Sequence, residues 1–127
     1  MKNEREFYRC THCGNIIGFI ENSGVDIICC GEPMVKLVPN TTDAAQEKHV
    51  PVFEITDNKI KVTVGSTPHP MTEEHHISWI VLAQGNKTTR VKLPVTGAPE
   101  AEFYLDSDEP VTIYEYCNLH GLWAVDQ

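Results

Sequence analysis

The chain of 127 residues lacks any long apolar run, and this absence excludes a membrane-spanning helix. No stretch approaches the roughly 20 consecutive apolar residues that such a helix requires. The first eight residues are charged and carry no apolar segment of the secretory type. We therefore expect a cytoplasmic protein that makes no contact with a membrane.

Positive charge is also scarce. The chain has 10 Lys and Arg against 18 Asp and Glu, which gives a formal net charge of −8. Nucleic-acid-binding proteins normally present a basic face, so this balance argues against a nucleic-acid partner. A small anionic substrate stays compatible with it, because one well-placed lysine sets the local potential.

Sequence fingerprints of nucleotide binding are missing as well. We find no phosphate loop, no dinucleotide-binding glycine motif, no internal repeat and no long amphipathic helix. Apolar residues nevertheless make up 41% of the chain and charged residues 22%, so a folded core is expected. The informative features are short strand-like segments and metal-ligating side chains.

The chain divides into two compositional parts. Residues 1–38 hold four of the five cysteines and only short apolar runs, and a unit of this size needs a staple to be stable. Residues 39–47 are polar and have the composition of a linker with one helical turn. We predict a small metal-binding domain over 1–38 and a second domain over 39–127.

The second domain has the pattern of a β-protein. Short segments of alternating apolar and polar residues are separated by turn signals rich in Gly, Asn and Asp. Strands of this length and spacing are typical of an antiparallel sandwich or barrel, so the predicted fold class is all-β. The segments lie at 50–55, 60–64, 77–81, 91–95, 101–105 and 111–114.

The four N-terminal cysteines form a predicted metal site. Cys10 and Cys13 make a C-x-x-C pair, and Cys29 and Cys30 are adjacent. Four thiolates suit zinc and mononuclear iron equally well, and spacing does not decide between them. A disulfide pair is a third option, which a reducing cytoplasm disfavours.

The adjacent cysteines impose a condition on the backbone. Neighbouring side chains point apart in an extended chain, so binding both Cys29 and Cys30 to one ion requires a sharp local bend. Gly14, Gly18 and Gly31 supply the conformational freedom for such turns.

Histidines in the strand-rich region indicate a second metal site. A lone histidine on a strand is more often a core or surface residue than a ligand, but five occur here together with the fifth cysteine. They are His49, His69, His75, His76 and His120, with Cys117 three residues before the last. The sixth, His12, lies inside the first cysteine loop and is interpreted as a loop residue.

Strand parity separates two of these histidines. His75 shares a face with Ile77 and Trp79 by the period of two, and His76 falls on the opposite face with Ser78. If the first face is inward, His75 is the ligand and His76 is solvated.

The remaining set holds four imidazoles and one thiolate and is therefore five-coordinate. Structural zinc is normally four-coordinate and closed. A blue-copper centre has two histidines and one cysteine. Square-pyramidal iron with one open position fits better, and an open position is a place for chemistry.

These motifs together resemble desulfoferrodoxin, the class of superoxide reductase with two iron centres, over essentially the whole chain. The N-terminal cysteines resemble desulforedoxin, which implies iron rather than zinc. The matching segments of the second domain are Glu47-Lys48-His49-Val50-Pro51, His69-Pro70-Met71, His75-x-Ile77-x-Trp79 and Cys117-Asn118-x-His120-Gly121.

The resemblance implies a desulforedoxin-like, rubredoxin-type domain followed by a seven-stranded immunoglobulin-like β-sandwich, usually as a homodimer. It implies two irons per chain. The first is Fe(Cys)4, held by Cys10, Cys13, Cys29 and Cys30. The second is Fe(His)4(Cys), with equatorial nitrogens from His49, His69, His75 and His120 and axial sulfur from Cys117. Lys48 is expected near the open position, which Glu47 can occupy in the oxidised resting state.

The implied activity is that of an oxidoreductase in oxygen detoxification, reducing superoxide by one electron to hydrogen peroxide. A rubredoxin-like protein would supply the electron, and we interpret the first iron as a structural staple. One alternative is a two-iron electron-transfer protein without a substrate of its own. Another is a binding module, a zinc ribbon fused to a sandwich whose histidines are scattered over the surface.

Overall fold

The computed structural model describes residues 1–127, and the chain forms two compact units. One unit is Arg5–Val38, and the other combines Met1–Glu4 with Pro39–Gln127. The first four residues thus depart from the predicted boundary. These residues form hydrogen bonds with the C-terminal part of the chain. The Lys2 backbone N–H donates to the Asp126 carboxylate at 3.1 Å, and that of Asn3 donates to Thr112 Oγ1 at 3.0 Å.

The N-terminal unit is built from five very short strands. A three-stranded antiparallel sheet has the order β2-β1-β5, and β3 and β4 form a hairpin. Its buried residues are Phe7, Cys10 and Met34, which is too little apolar surface to stabilise 34 residues unaided. The strands are β1 Phe7–Arg9, β2 Ile16–Gly18, β3 Ile28–Cys29, β4 Glu32–Pro33 and β5 Val35–Lys36.

A single short helix, α1 (Gln46–His49), precedes the first strand of the second unit. It begins within the predicted linker, residues 39–47, extends two residues beyond it and ends on His49. None of the helical structure is long and apolar enough to cross a membrane.

The second unit is a sandwich of seven strands. One sheet has the order β10-β7-β6 and the other β12-β11-β8-β9, and all pairings are antiparallel. The predicted all-β class is confirmed. The strands are β6 Pro51–Thr56, β7 Lys59–Val64, β8 Ile77–Gln84, β9 Lys87–Lys92, β10 Glu100–Tyr104, β11 Thr112–Cys117 and β12 Gly121–Asp126.

Strand β12 was absent from the sequence prediction. Its central residues, 122–125, form a continuous apolar run instead of an alternating one, so the period-two signal fails there. The run is apolar because Leu122, Trp123 and Ala124 are all buried.

The core lies between the two sheets. On β7, Ile60, Val62 and Val64 are fully buried while Lys61 is exposed, as the alternation predicts. The other fully or nearly fully buried members of the same cluster are Ile77, Ile80, Leu82, Leu93, Phe103, Val111, Ile113 and Cys117.

A β-bulge interrupts the pairing of β11 with β8. Tyr116 pairs with Trp79 and Cys117 pairs with Ile77, so Ser78 is the extra residue. Ile77 therefore joins the core, whereas Trp79 stacks on Tyr116 on the other face, with ring centroids 5.8 Å apart. The prediction that Ile77 and Trp79 share a face is wrong, because the extra residue in the bulge shifts the alternation of side chains between the two faces by one position.

Three chain segments meet at one end of the sandwich. Pro51 at the start of β6 pairs with Val64 at the end of β7, and Cys117 at the end of β11 pairs with both Gly121 and Ile77. Helix α1, the loop 65–76 and the turn 118–120 are consequently neighbours. This end of the sandwich holds the histidines.

Candidate metal centres

The four N-terminal cysteines converge in the small unit. Their sulfur atoms all lie within 4.8 Å of one another, and the Sγ atoms of Cys13 and Cys29 are 3.6 Å apart. All four are free thiols. His12 lies outside this group, with its Nε2 atom 3.1 Å from the exposed carboxylate of Glu32. The sequence-predicted ligand set is therefore brought together, and the loop histidine is not part of it.

The bend required by the adjacent cysteines is present. Cys30 has φ +53° and Gly31 has φ +79°, so two successive residues adopt left-handed backbone. Gly14 also has positive φ, at +81°, and closes the first cysteine loop. Gly18, by contrast, lies within β2 and needs no such freedom.

The four thiols influence each other's ionisation. The backbone N–H of Cys13 lowers the pKa of Cys10 to about 6. Hydrogen bonding with Cys13 and Cys10 raises the pKa of Cys30 to about 12. One thiolate thus forms readily, while full ionisation of the group requires a cation among the sulfurs. The donor set and its spacing fit a tetrahedral metal ion.

Four histidine rings form a closed square at the end of the sandwich. Neighbouring centroids are 4.8 Å apart for His49 and His69, 4.6 Å for His69 and His75, 5.1 Å for His75 and His120, and 4.8 Å for His120 and His49. The diagonal from His49 to His75 is 6.4 Å. Neighbouring rings are nearly perpendicular, at 76° to 88°.

The Cys117 sulfur lies against this square. Its distance is 3.4 Å to Nε2 of His69 and 3.8 Å to Nδ1 of His120. The ligand atoms of His49, His69, His75 and Cys117 are all within 4.8 Å of one another. Four nitrogens in a ring with one sulfur beside them is the donor arrangement of a five-coordinate ion.

Backbone carbonyls fix the tautomer of two of these rings. Nδ1 of His49 donates to the carbonyl of Ala45 at 2.7 Å, and Nδ1 of His69 donates to that of Pro70 at 2.7 Å. Each neutral ring then carries its lone pair on Nε2. These two Nε2 atoms face each other at 3.3 Å, where two lone pairs repel unless a cation attracts both.

A third ring leaves a buried atom unsatisfied. Nε2 of His75 is buried and has no hydrogen-bond partner in the protein. A buried polar atom of this kind costs about 1–3 kcal/mol. Nδ1 of His120 lies 3.0 Å from Nε2 of His49 and so points into the same space. The convergent, unsatisfied nitrogens fit a metal ion at the centre of the square.

Electrostatics keeps the imidazoles neutral and available as ligands. Burial lowers the pKa of His69 to about 4 and also lowers the pKa values of His49 and His75. Burial raises the pKa of the Cys117 thiol, against the opposing effect of the backbone N–H groups of Leu119 and His120. A bound cation favours the thiolate over the thiol.

The other predicted histidine lies outside the square. Nδ1 of His76 donates to the carbonyl of Thr72 at 2.9 Å, so this ring nitrogen already has a partner in the protein. The argument from strand alternation thus distinguished His75 from His76. It failed only at Trp79, because the extra residue of the bulge, Ser78, follows Ile77.

Glu47 and Lys48 are exposed residues of α1 directly before His49. The carbonyl of Glu47 accepts hydrogen bonds from the Thr67 backbone N–H at 2.9 Å and the Ser66 hydroxyl at 3.3 Å. A Cβ atom on Gly65 would lie 2.8 Å from the carbonyl oxygens of both residues, so a glycine is needed for this approach. Burial lowers the pKa of His75, and the Lys48 ammonium acts in the same direction.

Two residues beside the square were missed by sequence reasoning. Trp123 stacks on His49 with centroids 5.0 Å apart, and its Nε1–H donates to the carbonyl of His120 at 3.1 Å. Glu115 is fully buried, neither carboxylate oxygen has a partner, and burial raises its pKa well above the ordinary value. The sequence does contain a signal for Glu115, because it is an acidic residue two positions before Cys117, at an inward-facing position of an apolar strand.

Two family models match the chain. The model described as the desulfoferrodoxin N-terminal domain matches residues 2–37, and the model described as desulfoferrodoxin matches residues 41–126. The two matched segments do not overlap and together span residues 2–37 and 41–126.

Individual relatives agree with this assignment. The chain is 49% identical over 126 residues to a desulfoferrodoxin of Nitratidesulfovibrio vulgaris, covering 99% of each protein. It is 36% identical over 109 residues to a superoxide reductase of Pyrococcus horikoshii, covering 71% of this chain and 94% of the relative. The crystal structure of the superoxide reductase from Treponema pallidum superposes with a TM-score of 0.79 at 40% identity, covering 96% of this chain and 98% of that one.

The two donor sets match the Fe(Cys)4 and Fe(His)4(Cys) centres of desulfoferrodoxin, which confirms the predicted iron cofactors. The fold class predicted from the resemblance, a desulforedoxin-like domain followed by a β-sandwich, is also confirmed. With both family models and full-length relatives in agreement, the chain belongs to the desulfoferrodoxin family.

Proposed function

We propose that this oxidoreductase is a superoxide reductase, which converts superoxide to hydrogen peroxide in oxygen detoxification. The observation that carries the proposal is the square of four imidazoles with one sulfur beside it, in a chain that resembles superoxide reductases over most of its length. A bound iron supplies the single electron that, with two protons, turns superoxide into hydrogen peroxide.

In this proposal the side chains of His49, His69, His75, His120 and Cys117 would together hold the iron. The carbonyls of Ala45 and Pro70 orient two of the rings and keep their Nε2 atoms free of protons. Substrate is proposed to bind on the side of the square away from the Cys117 sulfur.

Lys48 is proposed to attract the substrate and to deliver a proton. Superoxide is an anion and the chain carries a net charge of −8, so a local positive charge is needed beside the centre. The ammonium group of Lys48 also holds protons that the departing peroxide requires, directly or through a water molecule. Glu47, its neighbour, is proposed to occupy the substrate position in the oxidised resting state.

The Fe(Cys)4 centre is proposed to be a structural staple of the small unit. With only three buried residues, that unit has little else to hold its short strands together. Electrons for the second centre would then come from outside the chain, from a rubredoxin-like donor protein.

A homodimer is proposed on the basis of exposed apolar surface. In the N-terminal unit Ile20 is fully exposed, and Val25 and Ile28 are 72% and 59% exposed. Apolar side chains concentrated on so small a unit are typical of an interface. A cytoplasmic location is proposed because a reducing compartment keeps clustered cysteines available as metal ligands, and the four N-terminal cysteines converge without forming disulfides.

The decisive experiment combines metal analysis with a superoxide assay. We expect two irons per chain, and one hydrogen peroxide formed per superoxide consumed when an electron donor is present. Dismutation would instead release oxygen and yield half as much peroxide. If both irons cycle but react no faster with superoxide than with simple oxidants, the chain is a two-iron electron-transfer protein and the proposal is wrong.

A further inference from the structure

We propose that Asn118 is a positioning residue that holds the His75 imidazole and the Cys117 sulfur in fixed relation to each other. The inference concerns the geometry of the second centre and rests on the proposed function only where a reaction rate is measured.

Three hydrogen bonds join Asn118 to the segment that carries His75. Its backbone N–H donates to the carbonyl of His76 at 3.2 Å, and its Oδ1 accepts from the backbone N–H of His76 at 2.9 Å. Its Nδ2 donates to the carbonyl of Glu74 at 3.0 Å. The residues immediately before and after His75 are therefore both held by one side chain.

These three hydrogen bonds extend the pairing of β8 with β11, which ends before it reaches His75. Regular pairing of β8 with β11 ends at the bulge, where Cys117 lies opposite Ile77. His75 lies outside β8, and its own backbone is bonded only to Thr72, through the Thr72 N–H and the Thr72 hydroxyl. Asn118 continues the cross-strand bonding beyond the last pair with its backbone and side-chain amides.

His75 depends on this backbone placement more than two other ligands do. The rings of His49 and His69 are each oriented by a hydrogen bond from Nδ1 to a carbonyl. No hydrogen bond of the protein orients the His75 ring, and its buried Nε2 has no partner. Where the ring points is set by where the backbone of residues 74–76 is held.

The same residue belongs to the turn that carries the Cys117 sulfur. Asn118 directly follows Cys117, and the next two backbone N–H groups, of Leu119 and His120, are directed at the sulfur. A shift of Asn118 would therefore change both the environment of the Cys117 sulfur and the direction of the His75 ring nitrogens.

An asparagine is suited to this task because its side chain donates and accepts at once. Asn118→Asp has nearly the same shape and keeps the acceptor for His76, but its oxygen would face the carbonyl of Glu74. Asn118→Ala removes both side-chain bonds. Asn86→Ala is the matched control, since Asn86 is an exposed asparagine in the turn between β8 and β9 and not in the turn that carries Cys117.

The test compares the three variants as iron-loaded proteins by iron content, visible absorption, electron paramagnetic resonance of the oxidised second centre, and its reduction potential. We expect both Asn118 variants to shift the thiolate-to-iron absorption band and the resonance signal, with Asn86→Ala matching the parent protein. The rate with superoxide should fall in both Asn118 variants and stay at the parent value in the control variant.

If both Asn118 variants bind two irons and retain the parent band, signal and potential, the proposal is wrong. If Asn118→Ala does not load iron, Asn118→Asp decides, and a parent-like spectrum for it also contradicts the proposal. The spectra do not depend on turnover, so an inactive parent protein would refute the proposed function and leave this test intact.

Discussion

The Nε2 atoms of His49 and His69 lie 3.3 Å apart with their lone pairs directed at each other. Since each ring is locked in this tautomer by a carbonyl on its other side, neither can rotate away without losing a hydrogen bond. The fold thus holds two mutually repelling groups in place, and a cation between them converts repulsion into attraction.

Removing the second iron should therefore lower the stability of the sandwich. A ligand that binds only the folded state stabilises it by an amount that grows with its concentration relative to its Kd. We expect Cys117→Ser, which weakens this site alone, to lower the Tm measured by calorimetry, and added ferrous iron to recover part of the loss. The same iron titration on a His12→Ala variant should reproduce the parent result. A Tm that does not respond to iron would contradict this account.

Substitution of Lys48 by isoleucine should slow the reaction with superoxide. We expect the second-order rate to fall at least about tenfold, which corresponds to about 1.4 kcal/mol of barrier. The rate should also lose part of its dependence on ionic strength, because a steering charge is gone. Rapid-mixing or pulse-radiolysis measurements would show both effects. Lys59→Ile, at the start of β7 away from the histidines, is the control, and an unchanged rate in Lys48→Ile would remove this residue from the mechanism.

Substitution of Glu47 by alanine should separate the resting state from the first encounter. The carboxylate is proposed to enter the substrate position only after oxidation, so the spectrum of the oxidised protein should change. The second-order rate of the reduced protein with superoxide should stay within about twofold of the parent, less than 0.5 kcal/mol of barrier. An oxidised spectrum identical to that of the parent would show that Glu47 is not a ligand.

Loss of the first centre should leave the chemistry of the second intact. In Cys13→Ser one of four thiolate ligands is replaced, and we expect a less stable N-terminal unit with a normal second iron. Superoxide reduction, measured with the second centre already reduced, should proceed at the parent rate. Lost turnover in a protein that keeps its oligomeric state and second iron would instead make the first centre an electron relay.

Asp126 should make the stability of the sandwich depend on pH. Burial acts to raise its pKa, but hydrogen bonds from the Thr112 hydroxyl at 2.5 Å and the Lys2 backbone N–H outweigh this, and the net pKa is lowered. A lowered carboxyl pKa contributes stability above the unfolded-state pKa of about 3.9 and loses it as pH falls through the folded-state value.

Asp126→Asn should accordingly reduce the free energy of unfolding at pH 7, with a difference from the parent that shrinks as the pH falls below about 4. Denaturant titrations at several pH values measure it. Asp108→Asn, an exposed substitution, serves as control. A difference that is constant across pH would mean that packing and not charge carries the effect.

Much of this architecture was readable from local pattern. The alternation of Ile60, Val62 and Val64 predicts β7 because inward and outward positions differ in burial along a half-exposed strand. The cysteine pairs and the clustered histidines predict metal sites because their side chains have few other reasons to occur together.

The features that the sequence alone did not reveal depend on contacts between distant segments of the chain. The bulge beside Cys117 arises from the register between β8 and β11, and no single segment encodes it. The carbonyls that orient His49 and His69 come from backbone whose direction is settled only in the folded loop. The roles of Trp123 and Asn118 are of the same kind, since each acts across the site on residues from other segments.

The two ligand sets differ in how far they reach along the chain. Cys10 and Cys29 are separated by 19 positions, whereas His49 and His120 are separated by 71. Closing a short loop is faster and loses less chain entropy than closing a long one. During synthesis, the first centre can therefore assemble as soon as residue 30 is available, but the second must await the turn after β11. With the staple formed first and the second iron last, an incompletely folded chain would not carry the iron that is proposed to react with superoxide.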